Sequence, residues 1–175
     1  MTEFLERFEV LSIPDEMCPM VVLSDNMRSL FSWGIKVHES GCYNHLMWLI
    51  PGQKVASQNL FFETQPIKDY FKKYRLKFWH NPSWTMGDRA QIVSAITRDL
   101  KDPWYRRIYD APAIIGQALK IPWFQTPGID ICSDKGKYLR LVDSTYPLTH
   151  PNPEQVNAWL NTQPGYQVFG RYVPD

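Results

Sequence analysis

Residues 45–58 carry the pattern that most restricts the fold. His45-Leu46-Met47-Trp48-Leu49-Ile50 is an almost wholly apolar run, Pro51-Gly52 interrupts it, and Lys54-Val55-Ala56-Ser57-Gln58 follows. A short apolar segment, a Pro-Gly break and a second short segment read as an antiparallel β-hairpin. Alternation along the first strand puts His45, Met47 and Leu49 on one face. Which residue of the second strand shares that face depends on the turn, because a slip of one residue flips every side chain. A three-residue turn opposes Ile50 to Lys54 and gives His45 the company of Ser57 and Asn59. A two- or four-residue turn gives it Gln58 instead.

The rest of the chain reads as a mixture of strands and helices. Phe8 to Leu11 and Met20 to Leu23 read as short strands, with a turn around Pro14-Asp15-Glu16. Ser24-Asp25-Asn26 reads as the cap of a short helix running through Phe31 and Trp33. Pro66 to Tyr74 reads as a short amphipathic helix with Ile67, Tyr70 and Phe71 inward, and Arg75 to Trp79 as a strand. Thr85 and Asp88 form a capping-box pattern ahead of Ile92, Val93, Ile96 and Leu100 at helical spacing. Ala111 to Leu119 reads as another helix, Asn152-Pro153-Glu154-Gln155 as the start of one more, and Tyr166 to Val173 as a closing strand. No repeat or Gly/Ser-rich linker divides the sequence, so residues 1–175 are expected to form a single α+β domain, an antiparallel sheet packed against helices.

Composition narrows the function classes. At 175 residues, with 44% hydrophobic and 14% aromatic residues, the chain can bury a core and is not expected to be disordered. Nineteen basic residues against eighteen acidic leave a net charge of +1, so no global field steers it to nucleic acid or an anionic membrane. The longest apolar run, Leu46 to Pro51, is too short for a membrane span. Three cysteines without paired spacing argue for reduced thiols rather than a disulfide scaffold. The first residues lack a basic and then apolar leader, which makes the cytoplasm the default location.

Two residues invite chemistry. Cys132 follows a turn-like Gly128-Ile129-Asp130 and opens a stretch that can wind into a helix toward Leu139 and Leu141. A helix N-terminus lowers a thiol pKa, and its backbone N–H groups can hold an oxyanion. His45 opens an apolar strand and has the chemistry of a general base. Each has a plainer reading, a buried apolar thiol and a core histidine bonded to a backbone carbonyl. An imidazole base also needs an orienting partner, for which Ser57, Gln58 and Asn59 are the candidates. His38, Cys42 and His45 are zinc-ligand types, but no fourth ligand is near and Gly41 breaks their alignment, so no metal site is expected. The basic-aromatic runs Lys72 to Trp79 and Trp104 to Arg107 read as solvated faces over aromatic cores or as contacts to an anionic polymer.

Tyr43-Asn44-His45, the strand, Gly52 and Val55-Ala56-Ser57-Gln58 resemble the first half of circularly permuted papain-like enzymes. These belong to the NlpC-like amidohydrolases, which include relatives of lecithin–retinol acyltransferase. Tyr109-Asp110, the apolar segment from Ala111, and Cys132-Ser133-Asp134 resemble the second half, so the likeness runs from about Gly41 to Leu141. It implies a permuted papain-like core with Cys132 as nucleophile, His45 as base, and a third polar residue at Ser57 or Gln58. Relatives often carry His, Glu or Gln at that third position, so Ser57 departs from the pattern. The backbone N–H of Cys132 would hold the oxyanion, with Tyr43 as helper. The implied activity is a cysteine hydrolase cleaving a peptide or cell-wall peptide amide bond through a thioacyl intermediate, with no metal or organic cofactor. An acyltransferase or thioesterase would use the same intermediate. A non-catalytic binding or structural module, such as a component of a phage particle, is the other class, and would place the chain in a virion. Residues 68–101 fall outside the matching motifs and read as an insertion.

Overall fold

A computed structural model describes residues 3–26, 43–108, 132–147 and 151–174. Among them six strands form one antiparallel sheet: β1 Met20–Asn26, β2 His45–Ile50, β3 Lys54–Gln58, β4 Phe62–Pro66, β5 Tyr74–His80 and β6 Gln167–Tyr172, in the order β4-β3-β2-β1-β5-β6. The helices are α1 Arg7–Leu11, α2 Met86–Leu100, α3 Trp104–Arg107 and α4 Pro153–Thr162, together with 3-10 segments at Asp15–Met17, Ile67–Tyr70 and Cys132–Leu141. The α+β expectation is met by this sheet and its helices.

Both faces of the sheet are covered, which explains why β2 reads as a continuous apolar run. Leu46, Trp48 and Ile50 pack with Ile92 and Ile96 of α2, Tyr138 and Leu139 of the 132–141 segment, and Val156 and Leu160 of α4. Met47 and Leu49 point the other way, into a second core with Val10, Ile13, Ile67, Tyr70, Leu76 and Phe78. Fully burying a large apolar side chain contributes roughly 1.5–3 kcal/mol, so two such layers are the main source of cohesion.

The hairpin forms as read. Pro51, Gly52 and Gln53 make a three-residue turn that opposes Ile50 to Lys54. Gly52 and Gln53 take positive φ values of 81° and 57°; glycine adopts that conformation without a Cβ penalty. The turn is also held from outside, since Gly52 N–H donates to Asp15 Oδ1 at 2.8 Å and the Gln53 side chain donates to the Ile13 carbonyl at 2.7 Å.

Four local readings need correction. Phe8 to Leu11 is helical, because Glu9 reaches back to accept from Glu6 N–H at 2.6 Å and caps the turn. Ser24-Asp25-Asn26 continues β1 instead of capping a helix: Ser24 pairs with His45, and buried Asp25 forms an ion pair with Arg75 on β5. Residues 68–101 are built into the fold, since β5 lies inside the sheet between β1 and β6 and α2 fills one core. Pro66 to Tyr74 is a single 3-10 turn followed by strand, yet Ile67, Tyr70 and Phe71 are buried as expected. The helices read at residues 27–33 and 111–119 lie outside the described residues. Among the described residues, no helix is long and apolar enough to cross a membrane.

Candidate functional site

The hairpin register decides which polar residue meets His45. Met47 pairs with Ser57, so His45 and Ser57 are diagonal neighbours on one face of adjacent strands, within side-chain reach. The His45 Nε2 and Ser57 Oγ atoms lie 2.8 Å apart. Gln58 falls on the opposite face, where its Nε2 donates to the Arg107 carbonyl of α3 at 2.7 Å. Of the three sequence candidates for the orienting position, Ser57, Gln58 and Asn59, the structure brings Ser57 to the imidazole, while Asn59 bonds to Gln65 and Tyr70.

Burial holds His45 well below the ordinary imidazole range, at about 4, because a charged ring there would lose hydration. The ring is therefore neutral at neutral pH, with one nitrogen protonated and one carrying a lone pair. Beyond it lies a polar cluster that sequence reasoning missed. The Tyr70 hydroxyl donates to Gln65 Oε1 at 3.2 Å and accepts from Asn59 Nδ2 at 3.3 Å, and Gln65 Nε2 donates to Glu63 Oε1 at 2.7 Å. Burial raises the Tyr70 pKa, while the hydrogen bond from Asn59 works in the opposite direction. Glu63 and Gln65 stand opposite Ser57 and Val55 on β4 and so share the face of Ser57. The available signal was the polar alternation Glu63-x-Gln65 directly after the hairpin, joined to an inward Tyr70.

Cys132 opens the 132–141 segment and is 4% exposed. Its sulfur lies 4.0 Å from the carbonyl oxygen of Asn44, the residue before His45. The segment winds as a 3-10 helix rather than an α-helix, and it is pinned to the sheet where Trp48 Nε1 donates to the Lys135 carbonyl at 2.9 Å. That contact places the segment over the Leu46–Trp48 face. Alternation turns the His45 ring toward the Met47–Leu49 face, where Ser57 lies. The thiol thus meets the backbone beside His45, and the imidazole is held on the other side of the pleat. Tyr43 packs on the helix-covered core, with the Lys77 ammonium 5.9 Å from its ring centroid.

Cys18 is a useful contrast. It is buried beside Asp15, and burial with that neighbouring charge pushes its thiol up to about 12. It is a structural thiol. Among the described residues no group of three or more His, Cys, Asp or Glu side chains is gathered to hold a metal ion, while His38, Cys42 and the Tyr109–Asp110 motif lie outside them. No protein-family model and no curated protein matches this chain.

Proposed function

We propose that the chain is a cysteine hydrolase with a permuted papain-like core, acting on an amide bond of a peptide or cell-wall peptide. The observation that carries this reading is the 2.8 Å contact of His45 Nε2 with Ser57. It engages one ring nitrogen with a strand neighbour and leaves Nδ1 as the nitrogen for the thiol proton. The Cys132 sulfur stands beside the residue that precedes His45. In the reaction, Nδ1 takes the thiol proton, the thiolate attacks the carbonyl carbon, and the C–N bond breaks as the imidazolium protonates the amine. Water then cleaves the thioester and regenerates the thiol. The steps require the ring to turn from the Ser57 side of the pleat to the Cys132 side when substrate binds, a larger change than the tightening common between apo and substrate-bound sites.

A second reading is a non-catalytic binding or structural module of the same fold, such as a component of a phage particle. It is favoured by the alternation that turns the imidazole away from the 132–141 face and by a ring pKa near 4, weak for a base working at pH 7.

The deciding measurement is the pH profile of Cys132 alkylation, resolved by peptide mass spectrometry, in the wild type and in His45→Ala. The hydrolase reading expects a thiol pKa below the ordinary 8.5 that rises in the variant, each unit giving about a tenfold loss of rate at neutral pH. A Cys132 thiol of ordinary pKa that is indifferent to His45 would leave the binding module. Cys18 serves as the internal slow reference.

A further inference from the structure

We infer that Lys77 and Asn157 join in an intramolecular isopeptide bond, with Glu154 carrying the proton between their nitrogens. None of the three belongs to the proposed hydrolase machinery, so the inference stands apart from that reading. Lys77 lies in the middle of β5, and alternation puts it on the face of Trp79, toward the core that α4 covers. It is 3% exposed and Asn157 is 8% exposed, and a lysine is rarely buried so deeply. Lys77 Nζ donates to Asn157 Oδ1 at 2.8 Å, and Asn157 Nδ2 donates to Glu154 Oε1 at 2.8 Å. Glu154 and Asn157 stand three residues apart and so share one face of α4. The Trp79 ring centroid lies 4.2 Å from Nζ and that of Tyr43 5.9 Å, so aromatic rings wall the amine from bulk water.

The three groups are ordered for amide transfer. Lysine only donates and an ionised carboxylate only accepts, so the Asn157 amide has one orientation: carbonyl toward the amine, nitrogen toward Glu154. A C=O bond of about 1.23 Å then keeps Nζ within about 4 Å of Cγ. A small turn of the amide gives the near-attack separation of about 3–3.5 Å. The neutral amine attacks Cγ and the Nζ–Cγ bond forms. Nζ and Nδ2 now share one carbon, so the carboxylate that holds Nδ2 reaches both. It takes a proton from Nζ and gives one to Nδ2. The Cγ–Nδ2 bond breaks, and the departing ammonia picks up the proton that Lys77 gave up to become neutral. In sum, a lysine ammonium and an asparagine amide become a secondary amide and an ammonium ion. Exclusion of water matters because its attack on Cγ would give aspartate instead. The new bond ties β5 to α4 through the core and closes a long loop, which restricts the unfolded chain.

Intact mass spectrometry of the full chain, incubated folded and then denatured, reads the bond directly. The wild type is expected to be lighter than its sequence by one ammonia. Its digest should contain a branched peptide joining Lys77 to Asn157, with no tryptic cut after Lys77. Lys77→Arg keeps a donor at the site but no attacking amine, and should retain the full mass. Asn157→Asp should lose one water in place of ammonia. Glu154→Gln changes a half-buried helix residue, so it should fold, as circular dichroism would show, and should link about 100-fold more slowly or less. A folded wild type of full mass with unmodified Lys77, a loss that survives Lys77→Arg, or Glu154→Gln linking at the wild-type rate overturns the inference.

Discussion

Gly136 sits where the 132–141 segment passes closest to its neighbours. A Cβ there would overlap the Tyr146 hydroxyl. Gly136→Ala is therefore expected to destabilise the protein by roughly 1–3 kcal/mol through overpacking, read as a lower urea midpoint at unchanged slope. Tyr146→Phe in the same chain should recover part of the loss, because it removes the atom that collides. The partner of Gly136 lies ten positions on, and no local sequence pattern announces it. The same limit applied to Ser57 and Gln58. Both residue types can bond an imidazole, and only the turn length, fixed by the backbone at Gly52 and Gln53, put Ser57 on the side of the ring.

Among elements, those with strong local chemistry were legible. The α4 helix begins with Asn152 accepting from Gln155 N–H at 2.7 Å while Gln155 Oε1 accepts from Asn152 N–H at 2.8 Å. Asn152→Ala should cost about 1 kcal/mol by leaving helix N–H groups uncapped, a loss visible as a lower thermal midpoint. The Thr85 and Asp88 box at α2 was equally readable. Elements decided by distant contacts were not. The β4 edge strand, with mostly polar residues, exists because β3 offers it a paired ladder. Residues 24–26 look like a helix cap, but β2 and β5 on either side hold them extended. Glu6 and Glu9 are the converse: the cap they form winds Arg7–Leu11 into a helix although Phe8, Val10 and Leu11 would suit a strand.

At the scale of the molecule, the sheet is covered on both faces, so its titratable groups feel the core. His45 binds its proton less readily in the folded chain, at about 4, than the ordinary 6.5. The unfolded chain therefore holds more protons between those values, and stability present above pH 6.5 is lost as pH falls toward 4. The His45 share is about 3 kcal/mol at most, since the residue keeps some exposed surface. His80, also shifted down by burial, adds in the same direction. Urea midpoints at pH 7.5 and 4.5 should differ more in the wild type than in His45→Gln, where this share is gone. Sequence pattern was enough for the α+β class and for one hairpin, because alternation and turn residues are local. The strand order, which joins β1 to both β2 and β5, depends on how the two cores share the apolar residues.

The last strand is joined to the first described residues. Leu5 N–H donates to the Arg171 carbonyl at 2.8 Å and Arg171 N–H donates to the Glu3 carbonyl at 2.9 Å, in a parallel bridge. Parallel neighbours run the same way, so tension applied from outside residues 3 and 172 would pull them past each other along their length. Both hydrogen bonds would then carry the load together, in shear, and would have to fail at once instead of peeling open in turn.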